Sequence, residues 1–132
     1  MTRLLLDSSI VIRFMNGDCE EYRRFADADA IYFSPVVLGE CLAGLRDNRR
    51  DRNRREKLFR ILSLPNVSIP ALTAATADRY ARLWQFLSDS GHRIPANDIW
   101  IAAHALELSA TLVTADRHFS AIPTLPLLLE GD

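Results

Sequence analysis

The hydrophobic and polar positions of this chain form short apolar runs separated by longer stretches with helical periodicity. The apolar runs have the length of β-strands, and their near-continuous apolar content is typical of strands that are buried on both faces of a sheet. The pattern predicts five strands: Arg3–Leu6, Ala30–Phe33, Val67–Ile69, Thr111–Thr114 and Thr124–Leu129.

Helices are predicted between these runs. Gly17 and Gly91 have the residue type that commonly ends a helix, and Ser34-Pro35 has the types that begin one. The predicted helices are Ser8–Asn16, Glu20–Ala28, Pro35 to about Leu45, Arg50–Leu62, Leu72–Asp89, a helix from Asn97 or Asp98 to about Ser109, and a short helix that holds Phe119.

Two of these helices have apolar stripes that predict their buried faces. The stripe of the helix after Ser34 consists of Leu38, Cys41, Leu42 and Leu45, which leaves Glu40 off that face. The stripe of the longest helix consists of Ala77, Tyr80, Ala81, Trp84 and Leu87. Strands that alternate with helices predict an α/β fold with three α/β/α layers and a mainly parallel sheet of about five strands.

Composition and charge agree with a folded protein in a single domain over residues 1–132. We find no apolar run long enough to span a membrane and no signal-peptide pattern, so we expect a cytoplasmic protein. Cys19 and Cys41 have no metal-binding spacing and are predicted to be free thiols. The formal charge of −1 conceals a basic segment, because residues 46–60 have a net charge of +5.

Four acidic residues stand in otherwise apolar or small-residue settings where core residues would be expected. They are Asp7 in LLLDSS, Glu40 in VVLGE, Asp98 in IPANDIWIAAHA and Asp116 in LVTAD. A desolvated carboxylate without a partner is unfavourable, so we expect a compensating charge. Clustered carboxylate oxygens are the ligands that Mg²⁺ or Mn²⁺ prefers, and such ions activate water for phosphodiester hydrolysis.

Each acid also has a structural interpretation. Asp7, Asp98 and Asp116 each lie at or near the start of a predicted helix and can act as caps or complement the helix dipole. Glu40 fits that interpretation least well, since it is predicted to lie in the middle of a helix. No cation stands three or four residues from it along the chain.

Together, the segments LLLDSS, VVLGE, IPANDIWIAAHA and LVTADRHF resemble the PIN domain, and within it the small toxins of VapBC toxin–antitoxin systems. The resemblance covers essentially the whole chain. It implies a Mg²⁺- or Mn²⁺-dependent endoribonuclease whose metal-binding and catalytic acids are Asp7, Glu40, Asp98 and Asp116. It further implies 5′-phosphate and 3′-hydroxyl product ends, a homodimer, and a VapB-type antitoxin whose carboxyl-terminal segment masks the acidic pocket.

Several residues near the acids are predicted to support the site. By the same resemblance, Ser8 and Thr114 correspond to hydroxyl residues next to the first and last acids. Family members often have Asn two residues after the first acid, where this chain has Ser9, so the role of Ser9 is open. Asn97 can support the site or cap its helix, and we favour the cap.

The basic segment has two interpretations. Arg46, Arg49, Arg50 and Arg54 can contact RNA phosphates or the antitoxin, or they can form a solvated helix face with Asp51 and Arg55 paired one turn apart. We expect the antitoxin near the helices that carry Glu40 and residues 46–60. Among the histidines, His104 is predicted to be a surface or helix-packing residue, and His118 is a weak candidate for the site.

The sequence leaves two other functional classes open. A PIN-like module that binds RNA or protein without cleaving it would need the same fold, but the presence of all four acids argues against it. A metal-dependent phosphatase acting on small esters would use similar chemistry on another substrate. The motifs of nucleotide-binding, serine-hydrolase and zincin sites are not found, so no nucleotide cofactor is expected.

Overall fold

A computed structural model describes residues 1–17 and 19–131, and the side chains of residues 19–21 lie outside the description. Within these residues, five strands form one sheet and alternate with five α-helices. The strands are β1 (Arg3–Leu6), β2 (Ala30–Tyr32), β3 (Val67–Ser68), β4 (Thr111–Thr114) and β5 (Leu127–Leu129). The helices are α1 (Ser8–Asn16), α2 (Pro35–Ala43), α3 (Arg49–Leu62), α4 (Ala74–Asp89) and α5 (Ala96–Glu107).

The sheet has the strand order β3-β2-β1-β4-β5, and all four pairings are parallel. From β1 the chain moves to β2 and β3 on one side, and it then crosses to β4 and β5 on the other. Right-handed crossovers place the helices before and after this change of direction on opposite faces of the sheet. The predicted three-layer α/β/α fold with a parallel sheet is confirmed.

The core consists of the apolar residues of the central strands and the helix faces packed on them. Leu5 and Leu6 of β1 and Leu112 and Val113 of β4 are at most 1% exposed. α5 is buried on several sides, since Ile99, Ile101, Ala102, Ala103 and Ala105 all belong to the same apolar cluster. Within the residues that the structure describes, no helix is long and apolar enough to cross a membrane.

Most predicted elements are present; several differ by one or two residues at an end, and two differ more. The predicted helix over Glu20–Ala28 is instead a 3-10 helix, Cys19–Phe25, and the backbone N–H of Ala26 bonds the Arg23 carbonyl in the tighter pattern of that helix. The last strand begins at Leu127 and not at Thr124. A second 3-10 helix, Arg117–Ala121, contains Phe119 as expected.

The predicted buried face of α4 is only partly right, although the helix is present: Leu87 is buried and Tyr80 packs against the core, but Ala77, Ala81 and Trp84 are exposed. Its buried residues are Thr76, Leu83 and Leu87, whereas Trp84 is 53% exposed. Thr76 can be buried because its hydroxyl donates a hydrogen bond to Glu107 of α5. Because Thr76 is polar, the sequence pattern favoured the neighbouring apolar stripe through Ala77 and Trp84. The face that is buried runs through Thr76 and Leu83.

The buried face of α2 also differs in part from its predicted stripe. Cys41 and the nearby Leu45 are buried as expected, but Val37 is buried as well and Leu42 is 37% exposed. Ser34 caps the helix as predicted, because its hydroxyl accepts a hydrogen bond from the backbone N–H of Val36. Gly91 ends α4 with a φ of +75°, a left-handed conformation that favours glycine.

Candidate metal-binding site

The candidate site lies at the carboxyl ends of β1 and β4. At these two neighbouring strands the order in which the chain adds strands to the sheet reverses from one side to the other. In parallel α/β sheets, this position is the usual place for a ligand. Asp7 directly follows β1, and its backbone N–H continues the ladder by bonding the carbonyl of Val113 at 2.9 Å. Thr114 is the last residue of β4, and Asp116 follows it by two positions.

Asp7 precedes α1 at the N-cap position, but its side chain makes no capping hydrogen bond. The residue is buried, with 4% of its surface exposed. Oδ2 accepts hydrogen bonds from the hydroxyls of Thr114 at 2.7 Å and Ser9 at 2.9 Å. Oδ1 is buried and has no hydrogen-bond partner among the described residues. The capping interpretation of this side chain is therefore wrong, and one oxygen remains available.

Thr114 and Ser9 form a hydroxyl bridge between the two strand ends. Thr114 is fully buried; its hydroxyl donates to Asp7 and accepts from the backbone N–H of Asp116 at 3.0 Å. The hydroxyl of Ser9 accepts from the backbone N–H of Ala115 at 3.1 Å while donating to Asp7. Ser9 thus holds Asp7 in place. Its residue type alone did not predict this role.

Glu40 projects from the middle of α2. Burial raises its pKa, side-chain hydrogen bonds with Asn97 and Ser8 lower it, and the charges of Asp98 and Asp7 raise it. One oxygen, Oε1, is buried without a partner among the described residues. Asn97 does not cap α5, whose N-cap position is held by Pro95, so the favoured capping prediction for Asn97 is wrong.

Asp98 lies in the first turn of α5, and its side chain is 17% exposed. Burial raises its pKa, the hydrogen bond and charge of His118 lower it, and the charges of Asp7 and Asp116 raise it. The charges of Asp7 and Asp116 thus act on Asp98, and the charges of Asp7 and Asp98 act on Glu40. We call Asp7, Glu40, Asp98 and Asp116 the acidic cluster.

Asp116 and His118 complete the site on the side of the second 3-10 helix. Asp116 caps that helix, since Oδ1 accepts from the backbone N–H of His118 at 3.3 Å. The His118 ring contacts both neighbouring acids: Nε2 is 2.8 Å from Asp98 Oδ2, and Nδ1 is 2.7 Å from Asp116 Oδ1. His118, a weak candidate from sequence, is therefore in direct contact with two of the four acids.

The arrangement fits a divalent cation. Ligand atoms of Asp98, Asp116 and His118 lie within 4.8 Å of one another. The acidic cluster further contains two buried carboxylate oxygens without hydrogen bonds, on Asp7 and Glu40. Burial and neighbouring acids raise the pKa of Glu40 and Asp98, so these partly desolvated carboxylates need a compensating positive charge, and carboxylate oxygens are hard donors.

The basic segment divides into structural and exposed residues. Arg54 bonds Asp51 at 3.0 Å, and their side chains are only 16% and 7% exposed. Hydrogen bonds and charge from Arg46, Arg54 and Asn48 hold the pKa of Asp51 below its ordinary value, with the Arg46 backbone N–H as the largest cause. The predicted Asp51–Arg55 pair is wrong, because Asp51 pairs with Arg54 and so fixes the start of α3.

An open groove of about 720 Å³ lies beside this segment. It is lined by Met15 and Asn16 of α1 and by five residues of α3, namely Arg49, Arg50, Asn53, Arg54 and Lys57. Arg46, Arg49 and Arg50 are exposed, and Lys57 donates to the carbonyl of Gly17 at 2.7 Å. The groove therefore presents positive charge to solvent.

Two further titratable residues are part of the packed interior. Burial raises the pKa of the Cys41 thiol to about 12, which makes it unreactive, and Cys41 is free as predicted; the Cys19 side chain lies outside the described residues. His104 is fully buried, and burial lowers its pKa. His104 is thus a helix-packing residue and not a surface one.

Comparison with known proteins gives consistent matches over nearly the whole chain. The sequence profile of the PIN domain family matches residues 4–125. Ribonuclease VapC2 of Rickettsia felis is 30% identical over 128 residues, which cover 93% of this chain and 94% of that protein. Ribonuclease VapC5 of Mycobacterium tuberculosis is 28% identical over 121 residues, 89% of this chain and 86% of that protein.

A structural match agrees with these relatives. A chain in the crystal structure of VapBC2 from Rickettsia felis, bound to a DNA fragment from its promoter, superposes with a TM-score of 0.84. It is 29% identical, and the match covers 97% of this chain and 98% of that one. Fold, sequence profile and relatives thus agree, and the chain belongs to the PIN domain family, among its VapC-type members.

Proposed function

We propose that this protein is the toxin of a VapBC-type toxin–antitoxin system, a metal-dependent endoribonuclease that hydrolyses RNA phosphodiester bonds. The observation that carries the proposal is the pair of buried carboxylate oxygens without hydrogen bonds, Asp7 Oδ1 and Glu40 Oε1, in one cluster with Asp98 and Asp116. The relatives named as ribonucleases support the reaction class.

The four acids would hold Mg²⁺ or Mn²⁺. Such an ion supplies a water activated for in-line attack and stabilises the negative charge of the phosphodiester in the transition state. Asp7 is oriented for this role by the hydroxyls of Thr114 and Ser9, whose hydrogen bonds occupy Oδ2 and leave Oδ1 free. Asn97 and Ser8 orient Glu40 in the same way, through hydrogen bonds from α5 and the start of α1.

RNA would approach along the positively charged surface near α3. Arg49 and Arg50 line the open groove and are exposed, so they can neutralise phosphates as the strand passes. Arg46 can do the same at the end of the segment. Arg54 is the exception among the predicted contacts, because its guanidinium is held by Asp51; we assign it to the fold.

The partners follow from the same proposal. The crystal structure of VapBC2 from Rickettsia felis contains a chain that is 29% identical to this one, and we propose a VapB-type antitoxin for this protein as well. The half-exposed Phe59 of α3 and the exposed Leu42 of α2 offer apolar contacts on the two helices where we expect the antitoxin to bind. We further propose a homodimer of single-domain chains, residues 1–132, that acts in the cytoplasm.

The test compares Asp98→Asn with wild type in cleavage of a labelled RNA with Mn²⁺. The variant keeps the size and a hydrogen-bonding group of the side chain but removes one charge of the cluster. We expect cleavage to fall more than about 100-fold, since substitution of groups outside the ligand shell already costs 10–100-fold. Growth inhibition on expression should be lost as well.

Asp89→Asn is the matched control, because Asp89 is an exposed acid at the end of α4. It should cleave like wild type, and excess EDTA should abolish cleavage by both. Full cleavage by Asp98→Asn, or by wild type in EDTA, would contradict the metal-dependent nuclease. RNA binding by wild type without any cleavage would instead favour the non-cleaving PIN-like module.

A further inference from the structure

His118 is the one described residue that contacts two members of the acidic cluster through its side-chain nitrogens. Its ring is held on three sides: Asp98 faces Nε2, Asp116 faces Nδ1, and the buried Phe119 ring lies 4.9 Å from the imidazole centroid. Only a third of the side chain is exposed. A ring fixed in this way is part of the site and not a surface residue beside it.

The number of protons on the ring determines what these contacts can be. A neutral imidazole has one N–H donor and one lone pair, so it can donate to only one of two ionised carboxylates. A ring with two protons donates to both carboxylates, whereas a neutral ring leaves its second nitrogen facing a carboxylate oxygen lone pair to lone pair, which is repulsive. A metal ion bound by both that nitrogen and that oxygen takes the place of the second proton.

We propose that His118 is a nitrogen ligand of the divalent metal ion, added to the oxygen ligands of the acidic cluster. Nδ1–H donates to Asp116 Oδ1, and Nε2 binds the ion together with Asp98. The proposal rests on the proposed metal site, which it deepens by assigning a fifth ligand residue of a different chemical type.

Two observations support the choice of Nε2. Nε2 contacts Asp98, whose side chain is 17% exposed, whereas Nδ1 contacts Asp116, whose side chain is 44% exposed, so Nε2 lies on the more buried side of the site. Asp116 Oδ1 is already an acceptor for the His118 backbone N–H, and a carboxylate behind the imidazole is the common way to orient a metal-binding histidine.

The distances also agree with coordination. Metal–ligand bonds of about 2.1 Å at right angles place neighbouring ligand atoms about 3 Å apart. The separation between Nε2 and Asp98 Oδ2 is 2.8 Å. An ion can therefore bind both atoms at once with little change in the positions of either side chain.

The direct test is electron paramagnetic resonance of the Mn²⁺-loaded protein, with detection of electron spin echo modulation by a directly bound ¹⁴N nucleus. We expect that modulation in wild type and its loss in His118→Asn. The matched control is His92→Asn, because His92 is exposed and does not belong to the group formed by Asp98, Asp116 and His118. The control should retain the nitrogen signal.

Metal affinity gives a second readout that a purely structural role would not change in the same way. Nitrogen ligands favour Mn²⁺ over Mg²⁺, whose preference is for oxygen. His118→Asn should weaken Mn²⁺ binding about 10-fold and Mg²⁺ binding clearly less. Equal losses for both ions, or no nitrogen coupling in Mn²⁺-loaded wild type, would overturn the proposal while leaving the metal site intact. Failure of wild type to bind Mn²⁺ would overturn the proposed function itself.

Discussion

The carboxylates of Glu40 and Asp98 oppose folding in the absence of a cation. Burial raises the pKa of both Glu40 and Asp98, so the folded state binds protons more tightly than the unfolded state does. Stability is therefore lost as the pH rises from the ordinary pKa of each acid through its raised value in the fold. At neutral pH these charges destabilise the chain, and a bound ion would remove that effect.

Glu40→Gln tests this effect on a single residue. The amide keeps the hydrogen-bonding partners Asn97 and Ser8 but removes the buried charge. The metal-free variant should therefore melt a few degrees higher than wild type at pH 7. A gain of about 1 kcal/mol in the free energy of unfolding shifts the melting temperature of a domain of this size by that amount. The difference should disappear below the ordinary pKa of 4.5. Thermal melts in EDTA at both pH values measure it.

Glu56→Gln on the exposed face of α3 is the control and should leave the melting temperature unchanged. Addition of Mn²⁺ should stabilise wild type more than Glu40→Gln. A variant that melts well below wild type at pH 7 would show that the Glu40 charge has a structural partner in the fold.

Thr114→Val tests the hydroxyl that joins the two strand ends. Valine has nearly the same shape but cannot donate to Asp7 or accept from Asp116, so buried polar groups lose their partners. The free energy of unfolding should fall by about 1–3 kcal/mol, and RNA cleavage should fall with it. Denaturant unfolding and cleavage assays measure the two effects.

Thr111→Val at the other end of β4 is the comparison for that change, because Thr111 lies far along the strand from the acids. It should lose little stability and no activity. Equal effects of the two variants would contradict a specific role of the Thr114 hydroxyl.

At the scale of elements, the site depends on where strands and helices begin and end. β1, α1 and β4 have the bounds predicted from sequence, because each is a dense apolar or amphipathic run next to a polar residue. This is why the positions of Asp7 and Asp116 could be predicted. The contact of Asn97 with Glu40 could not, since it depends on how α2 and α5 pack and not on the local sequence of either helix.

The basic face of α3 is expected to bind RNA through phosphates. Arg49→Gln with Arg50→Gln, made in the inactive Asp98→Asn protein, should weaken binding of a labelled single-stranded RNA. The slope of the logarithm of the RNA-binding constant against the logarithm of salt concentration should become shallower by about 0.7 for each lost phosphate contact. Fluorescence anisotropy over a range of salt concentrations measures both quantities.

Arg79→Gln with Arg82→Gln makes the same change in charge on the exposed surface of α4 and is the matched control. It should reduce binding less and leave the salt dependence unchanged. The same loss in both double variants would contradict a localised contact at α3.

At the scale of the whole molecule, strand order explains why residues from distant segments meet. The change of chain direction between β1 and β4 brings Asp7 next to Asp116, and α2 and α5 bring Glu40 and Asp98 to the same end. The alternation of elements in the sequence predicted the fold class. It predicted only part of the face that α4 buries, because Thr76 and Glu107 satisfy each other only in the folded chain.

The assembly is a separate property of the whole molecule. One chain has a mass of 14.9 kDa, and the proposed homodimer should have about twice that mass by light scattering. Exposed apolar side chains on α4, Trp84 and Phe86 among them, are consistent with further burial in an assembly. A mass of one chain at all concentrations tested would contradict the homodimer.

The central claim is that the four carboxylates hold a metal ion, and anomalous scattering from a Mn²⁺-soaked crystal tests it most directly. We predict a peak among Asp7, Glu40, Asp98 and Asp116, with carboxylate oxygens within about 2.0–2.6 Å. The free oxygens of Asp7 and Glu40 should turn towards it, directly or through bound water. No peak at saturating Mn²⁺, or a peak away from these residues, would contradict the claim.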